Sequence, residues 1–340
     1  MTTRRGALSA LLGLAFMAAG LATTTDAEAA RKRRPVAKKP ANPARTAGEP
    51  TKIAGKIVDV SSIIMILEGE KFRILSEDEP HARRTPASVT KLLTLCLIFD
   101  ALEAGTLKTT DYVTISGKGK TVGGTMLNVR AGEEITVSDV ILSLVTKSAN
   151  DVALSIAEHM AGSEAGFAVL MNKKARDIGM VDSHFTNPHG MRDDNHYSCA
   201  YDLALLARHL VTHHANHYHY FSTGSFIFRG QTYRNHNGLM REYEGMDGLK
   251  TGMTNEGWQL AASVVRTRPA DPESSRPEVD QRVIGIFLGG ATKTQRNNCL
   301  GYLLDQGYIS EGHEIGPSKF RYSEQGCTSQ RNAPPKMSLK

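Results

Sequence analysis

Apolar and polar positions change their rhythm along this chain, and the changes mark its elements. From Ser61 to Glu79, "SSIIMILEGEKFRILSEDE" runs as two extended segments on either side of the turn signal Glu68-Gly69 and predicts a β-hairpin. "PASVTKLLTLCLIFDALEAG", from Pro86, predicts a helix with Ser88 near its start and Gly105 as its stop. In "VSDVILSLVTKSANDVALSIAEHMAG" apolar residues recur at spacings of three and four, with a break at "KSAND". That pattern predicts helix, short break and helix, with Ser148 and Asn150 in the turn. "SCAYDLALLARHLVTH", from Ser198, predicts another amphipathic helix. Three strand-like runs follow, "GLKTGMT", "WQLAASVVRTR" and "RVIGIFLGG", then a last helix through "NNCLGYLLDQGY". Strands at both ends with helices between predict one α/β (α+β) unit. Its N-terminal hairpin joins the C-terminal strands in a single antiparallel sheet flanked by a helical region.

The ends follow other rules. Residues 1–29 have a basic start, an apolar stretch from Ala7 to Ala22 and an Ala27-Glu28-Ala29 ending, the three-part layout of a secretory signal. The apolar stretch is shorter than the roughly 20 residues a bilayer span needs, which favours cleavage near Ala30 over a retained anchor. The Arg4-Arg5 pair leaves the general and twin-arginine export routes both open. Residues 30–50, "ARKRRPVAKKPANPARTAGEP", are basic and proline-rich with no apolar face to bury, and read as a disordered tether. The folded unit is expected over 51–310, followed by a polar tail, 311–340.

At 340 residues, with 40% hydrophobic and 22% charged positions, the composition is globular and excludes a fibre or a wholly disordered chain. The first fifty residues hold 9 Lys+Arg against 3 Asp+Glu, and the remainder holds 32 of each, so the basic character lies in the tether. A neutral globular part in an exported chain argues against nucleic-acid binding. The tether itself suits either an anionic envelope surface or plain solvation. Cys96, Cys199, Cys299 and Cys327 have no CxxC spacing, which argues against a metal knuckle or redox motif. Cys96, inside "LLTLCLIF", reads as a buried free thiol, and one or two disulfides of unreadable pairing fit an oxidising compartment.

Candidate chemistry begins at Ser88 and Lys91. Residues three apart share a helix face, so the lysine amine can reach the serine hydroxyl. A serine needs a base to become a nucleophile, and lysine can be that base only when burial or a neighbouring positive charge lowers its pKa. A capping serine and a solvated lysine make the plain alternative, and about one Ser-x-x-Lys is expected by chance in a chain of this length. Two further triplets, each unique in the chain, change the balance: Ser148-Ala149-Asn150 in the interhelical turn and Lys250-Thr251-Gly252 on a strand. On that strand glycine would let a ligand backbone approach closely.

The order and contexts of these three elements match penicillin-binding enzymes and serine β-lactamases. With "PASVTKLLT", "SANDVAL", "HFTNPHGM", "NHNGLM", "GMDGLKTGMT" and "GGATKTQR", the stretch from about Ser61 to Tyr308 resembles the serine D-alanyl-D-alanine carboxypeptidases, the low-molecular-mass penicillin-binding proteins. The resemblance implies a β-lactamase/transpeptidase-like fold and an exported, periplasmic enzyme without cofactor. Its partners would be peptidoglycan stem peptides, with β-lactams as covalent inhibitors. It implies Ser88 as acylated nucleophile and Lys91 as its base. Ser148 would relay a proton to the leaving D-alanine, and Asn150 would hold Lys91 and the substrate amide. Lys250 would keep Lys91 deprotonated, and Thr251 and Arg296 would bind the substrate carboxylate. The backbone N–H groups of Ser88 and Met253, beside Gly252, would form the oxyanion hole.

Three departures accompany the resemblance. Ala149 stands where many relatives have glycine or aspartate, "PADPESSRPEVDQ" is longer than a hairpin needs, and few residues follow Tyr308. The last implies a version without the β-rich second domain or C-terminal membrane anchor that many relatives carry. A D,D-endopeptidase acting on cross-links would use the same residues. A β-lactamase is disfavoured, because no Glu-x-x-Leu-Asn is present to position a deacylating water. A catalytically idle wall-binding or penicillin-sensing protein would have no physical need of Lys91 beside Ser88. In "HLVTHHANHYHY", His209, His213 and His217 fall at helical spacing, but no acidic or cysteine ligand accompanies them in the sequence, and no metal site is expected.

Overall fold

In the computed structural model the described residues are 51–53, 56–270, 277–322 and 327–329. The signal-like stretch 1–29 and the tether 30–50 lie outside them, as do residues 271–276 of the long insertion and residues 330–340.

The hairpin forms as the pattern predicts. Strand β1 (Ser61–Glu68) turns at Gly69-Glu70 into β2 (Lys71–Asp78), with Glu68 opposite Lys71 and Ser62 opposite Asp78. At the far end of the chain, β3 (Met246–Thr254), β4 (Gly257–Arg268) and β5 (Val279–Gly290) complete one antiparallel sheet in the order β2-β1-β5-β4-β3. The register sets Ile63 opposite Ile286 and Trp258 opposite Met253.

Successive residues on a strand face opposite ways, so β1 feeds two cores. Ile63 and Met65 join Ile284, Ile286 and Leu288 under the helical region. Ile64 and Ile66 join Val283 and Phe287 on the other face, beneath helix α5 (Lys293–Ser310) with Leu300, Leu304 and Tyr308. The helices over the first face are α1 (Lys91–Glu103), α2 (Asn150–Ala161), α3 (Glu164–Ile178) and α4 (Ala200–His213). Every residue from Lys91 to Cys96 is buried, so α1 runs through the core instead of over its surface. Each fully buried Leu, Ile or Phe here adds about 1.5 to 3 kcal/mol of apolar burial. Helix α3 is not anticipated by the apolar pattern. Ser163 caps it by accepting from Gly166 N–H, and Gly179, at φ 94°, ends it.

Described residues beyond 310 pack against the domain. Phe320 is buried against Gly301 of α5, Cys327 forms a disulfide with Cys299, and Ser329 Oγ donates to Asp78 Oδ1 at 2.7 Å. Cys96 and Cys199 are free and buried, as the apolar setting of Cys96 implies. Among the described residues no helix is long and apolar enough to cross a membrane.

Candidate active site

The nucleophile candidate sits on a strained joint. Pro86 leads into a short 3-10 turn, Ala87–Thr90, that precedes α1, and Ala87 is at φ 52°, a conformation costly for a residue with a Cβ. Two glycines hold it there. A Cβ on Gly190 would fall 1.8 Å from Ala87 O, and one on Gly252 would fall 3.0 Å from both Ala87 Cβ and Pro86 O. The sequence suggests that Gly252 is small to admit a ligand; it also admits the turn that carries Ser88, whose backbone N would lie 3.2 Å from that Cβ.

Lys91, one turn later, is fully buried. Its Nζ lies 3.1 Å from Ser88 Oγ, 2.7 Å from Asn150 Oδ1 and 2.7 Å from the His189 carbonyl. The orientation of the Asn150 amide is fixed from its other end, where Nδ2 donates to Gly123 O at 2.9 Å. One amide N–H is therefore engaged by the protein itself. The His189 carbonyl is presented by a loop cinched by Asn187, which accepts from Gly190 N–H and donates to Met191 O. Burial and then the charge of Lys250 hold the Lys91 amine well below the ordinary lysine range, against the opposing pull of Asp151. Asp151 is occupied in fastening the loop at residues 127–128, accepting from Leu127 and Asn128 N–H.

Ser148 arrives by a different device. The helix Val137–Leu142 widens into a π turn, Ser143–Lys147, and Ser148 follows in the left-handed conformation at φ 62°, ψ 39° before α2 begins at Asn150. Such irregularities gather at functional sites. The Ser148 hydroxyl is buried without a hydrogen-bond partner, while Ala149 points into the core.

Across the cleft stands β3. Lys250 is buried, its Nζ donating to the Thr251 carbonyl at 3.1 Å, and burial followed by the nearby Arg296 lowers its pKa to about 7. Arg296, in the first turn of α5, is also buried, and burial lowers it to about 10. It donates from Nε and Nη2 to Asn297 Oδ1 and from Nη1 to the Gln259 carbonyl. A guanidinium has five N–H groups, so two remain.

Lys91 contacts Ser88 and Asn150, and Lys250 contacts the Thr251 carbonyl; a cavity of about 320 Å³ gathers Ser88, Ser148, Thr251, Gly252, Met253 and Arg296. Thr125, His236, Trp258 and Lys293 also line it. Spacing does not single these out. His236 and His189 do fall within "NHNGLM" and "HFTNPHGM", two of the stretches that carry the resemblance, whereas Trp258 and Thr125 carry no local signal. A hydroxyl beside a buried amine, facing fixed cations across a small cleft, can acylate itself on a substrate that ends in a carboxylate.

The histidine-rich segment corrects one expectation. His209 is joined in space by His214, Cys96 and Asp100, so acidic and cysteine side chains do accompany it. His213 stacks on His209 with ring centroids 4.2 Å apart, and His217 stacks on Phe99 at 5.1 Å.

Comparison with known proteins agrees with this geometry. A family model described as D-alanyl-D-alanine carboxypeptidase matches residues 50–268. The D-alanyl-D-alanine carboxypeptidase DacF of Bacillus subtilis (strain 168) is 30% identical over 269 residues, covering 77% of this chain and 66% of that protein. DacA of Escherichia coli (strain K12) is 32% identical over 259 residues, covering 74% of this chain and 61% of that protein. This chain thus spans less than two thirds of the length of those relatives. Penicillin binding protein 5 from Haemophilus influenzae superposes with a TM-score of 0.66 at 27% identity, over 76% of this chain and 73% of that one.

Proposed function

Since the chain belongs to the D-alanyl-D-alanine carboxypeptidase family, we propose that it is an exported serine D,D-carboxypeptidase. It removes the terminal D-alanine from peptidoglycan stem peptides through an acyl-serine intermediate, and it is acylated by penicillins. The observation that carries this reading is the placement of the buried Lys91 amine 3.1 Å from Ser88 Oγ.

The substrate carboxylate lies against the two free N–H groups of Arg296, with the Thr251 hydroxyl and the Lys250 charge beside it. Neutral Lys91 takes the Ser88 proton as Oγ attacks the carbonyl carbon of the bond between the two D-alanines. Negative charge gathers on the carbonyl oxygen and is stabilised by the backbone N–H groups of Ser88 and Met253. Collapse breaks the C–N bond, and Ser148 passes the proton from Lys91 to the departing amine, which leaves as D-alanine. Water then attacks the ester and gives its proton to Lys91, which returns it to Ser88 Oγ as the C–O bond breaks and the shortened peptide leaves. A β-lactam follows the first half of this path, but its leaving amine remains tethered to the acyl group and blocks the water.

Residues 30–50 attach the enzyme to an anionic envelope surface in the periplasm; their seven basic residues against the single acidic Glu49 support that role. Product analysis tests the activity. Incubation with a peptide ending in D-Ala-D-Ala is expected to release free D-alanine, faster than a cross-linked peptide dimer is cut. Preferential cleavage of the dimer would make the enzyme an endopeptidase, and no release from either substrate would refute peptidase activity.

A further inference from the structure

Helix α1 carries a second group of side chains one turn and more beyond Lys91. Cys96 and Asp100 are four residues apart and share a helix face. That face meets the end of α4, where His209 and His214 lie. Cys96 Sγ is 3.5 Å from His214 Nε2, and the same nitrogen is 3.5 Å from Asp100 Oδ1. One ligand atom from each of Cys96, Asp100, His209 and His214 lies within 4.8 Å of the other three. Around tetrahedral zinc, with bonds of about 2.0 to 2.3 Å, ligand atoms stand roughly 3.3 to 3.8 Å apart. Two of the pairs already have that spacing, and the rest need to close by about 1 Å or less.

Two further observations point to a cation. His209 Nε2 is buried and has no hydrogen-bond partner. His214 Nδ1 lies 2.9 Å from Glu103 Oε1. If Nδ1–H donates to that carboxylate, the Nε2 lone pair faces Cys96 and Asp100. A carboxylate behind a histidine is the support that metal-binding imidazoles ordinarily have. It also leaves Nε2 facing Asp100 Oδ1 at 3.5 Å, an oxygen that accepts from Lys174 Nζ at 2.8 Å.

We propose that Cys96, Asp100, His209 and His214 bind one zinc-class divalent ion. A thiolate with two imidazoles and one carboxylate suits zinc and disfavours magnesium or calcium. Binding releases the Cys96 thiol proton to solvent, and the thiolate and carboxylate together balance the charge of the ion. Lys174 Nζ lies 2.8 Å from Asp100 Oδ1 and 2.7 Å from Oδ2, and metal binding leaves it on Oδ2 alone while Oδ1 turns to the metal. Asp100 and His209 are only partly buried, which provides the route in from solvent. Four protein ligands leave no position open, so the ion is structural. It fastens α1 to the end of α4, and it is independent of the peptidase reading.

The test uses the full chain without an affinity tag, stripped with chelator and titrated with Zn2+ and Co2+. One equivalent of zinc is expected to bind with a dissociation constant below about 1 μM and to raise the melting temperature. Cobalt should give a sulfur-to-metal charge-transfer band. His209→Ala, which removes a partly exposed ring with an unpaired nitrogen and so disturbs folding least, should weaken zinc binding at least ten-fold, roughly; Glu103→Gln should weaken it by about ten-fold. His213→Ala should leave it within about two-fold, because that ring stacks on His209 and pairs its Nδ1 with the Thr212 hydroxyl at 2.8 Å, outside the ligand set. Absence of stoichiometric zinc, absence of the sulfur band, or undiminished binding by His209→Ala would each overturn the proposal.

Discussion

Lys91 Nζ and Asn150 Oδ1 stand 2.7 Å apart, although 59 residues separate them in the chain. The contact decides where the lysine lone pair points. Asn150 Oδ1 and the His189 carbonyl, also 2.7 Å from Nζ, can only accept hydrogen bonds. When the amine is neutral they take its two protons, and its lone pair is left facing Ser88 Oγ, the one neighbour able to donate. Burial sets the basicity of Lys91, and the two carbonyl oxygens set its direction.

Lys91→Arg follows directly as a test. A guanidinium stays protonated at working pH and cannot act as base, so kcat/KM on a D-Ala-D-Ala peptide should fall by about 10²- to 10⁴-fold. Lys91→Met, which keeps the volume, should show the same loss with a melting transition still present. Turnover near that of the parent in either variant would move the base elsewhere.

For Ser148 the expected signs of activity and stability differ. Its hydroxyl is buried and unpaired, so Ser148→Ala removes a group that costs the fold free energy. Thermal melts should show the variant as stable as the parent or more so, while kcat falls by about 10²- to 10⁴-fold if the hydroxyl relays a proton. Unchanged kcat would reduce Ser148 to a turn residue.

The pH profile tests Lys250. With its pKa lowered to about 7, the free enzyme carries the Lys250 charge below that pH and loses it above. For a substrate with a free terminal carboxylate, kcat/KM should therefore decline as pH rises through about 7. Lys250→Arg should carry the alkaline limb to higher pH, because guanidinium does not titrate there. An identical alkaline limb in that variant would assign it to another group.

Much of this was legible in the sequence, for identifiable reasons. The hairpin at Glu68-Gly69, the break at "KSAND" and the three C-terminal strands announce themselves because their apolar period changes where the chain turns. Helix α3 escaped because its buried residues, Phe167, Ala168, Met171 and Ala175, are diluted by a polar second half, although Ser163 and Gly179 mark its ends. Ser88 and Lys91 are one turn apart and could be paired by spacing. The His189 carbonyl could not, since a backbone group leaves no mark in composition, and Trp258 joins the cavity only through the folding of β4. Helical spacing relates His209 to His213 and His217, residues of one stretch of chain, whereas its partners Cys96 and Asp100 come from another helix.

Arg296→Ala separates carboxylate recognition from mere packing. Three of the five Arg296 N–H groups are committed to Asn297 and Gln259, and the remaining two can take a carboxylate. Losing a charge-assisted contact worth about 1.5 to 3 kcal/mol should lower kcat/KM on the free acid by roughly ten- to a hundred-fold. A substrate with an amidated terminus should be poor with the parent enzyme and little changed by the mutation. Equal proportional losses on both substrates would indicate a structural role only.

Intact-protein mass spectrometry after incubation with benzylpenicillin, followed by peptide mapping, tests the central claim most directly. One added penicillin mass per chain is expected, carried on the peptide containing Ser88, with no adduct on Ser88→Ala whose melting transition matches the parent. An adduct that persists in folded Ser88→Ala, or one that maps to another residue in the parent, would contradict that claim.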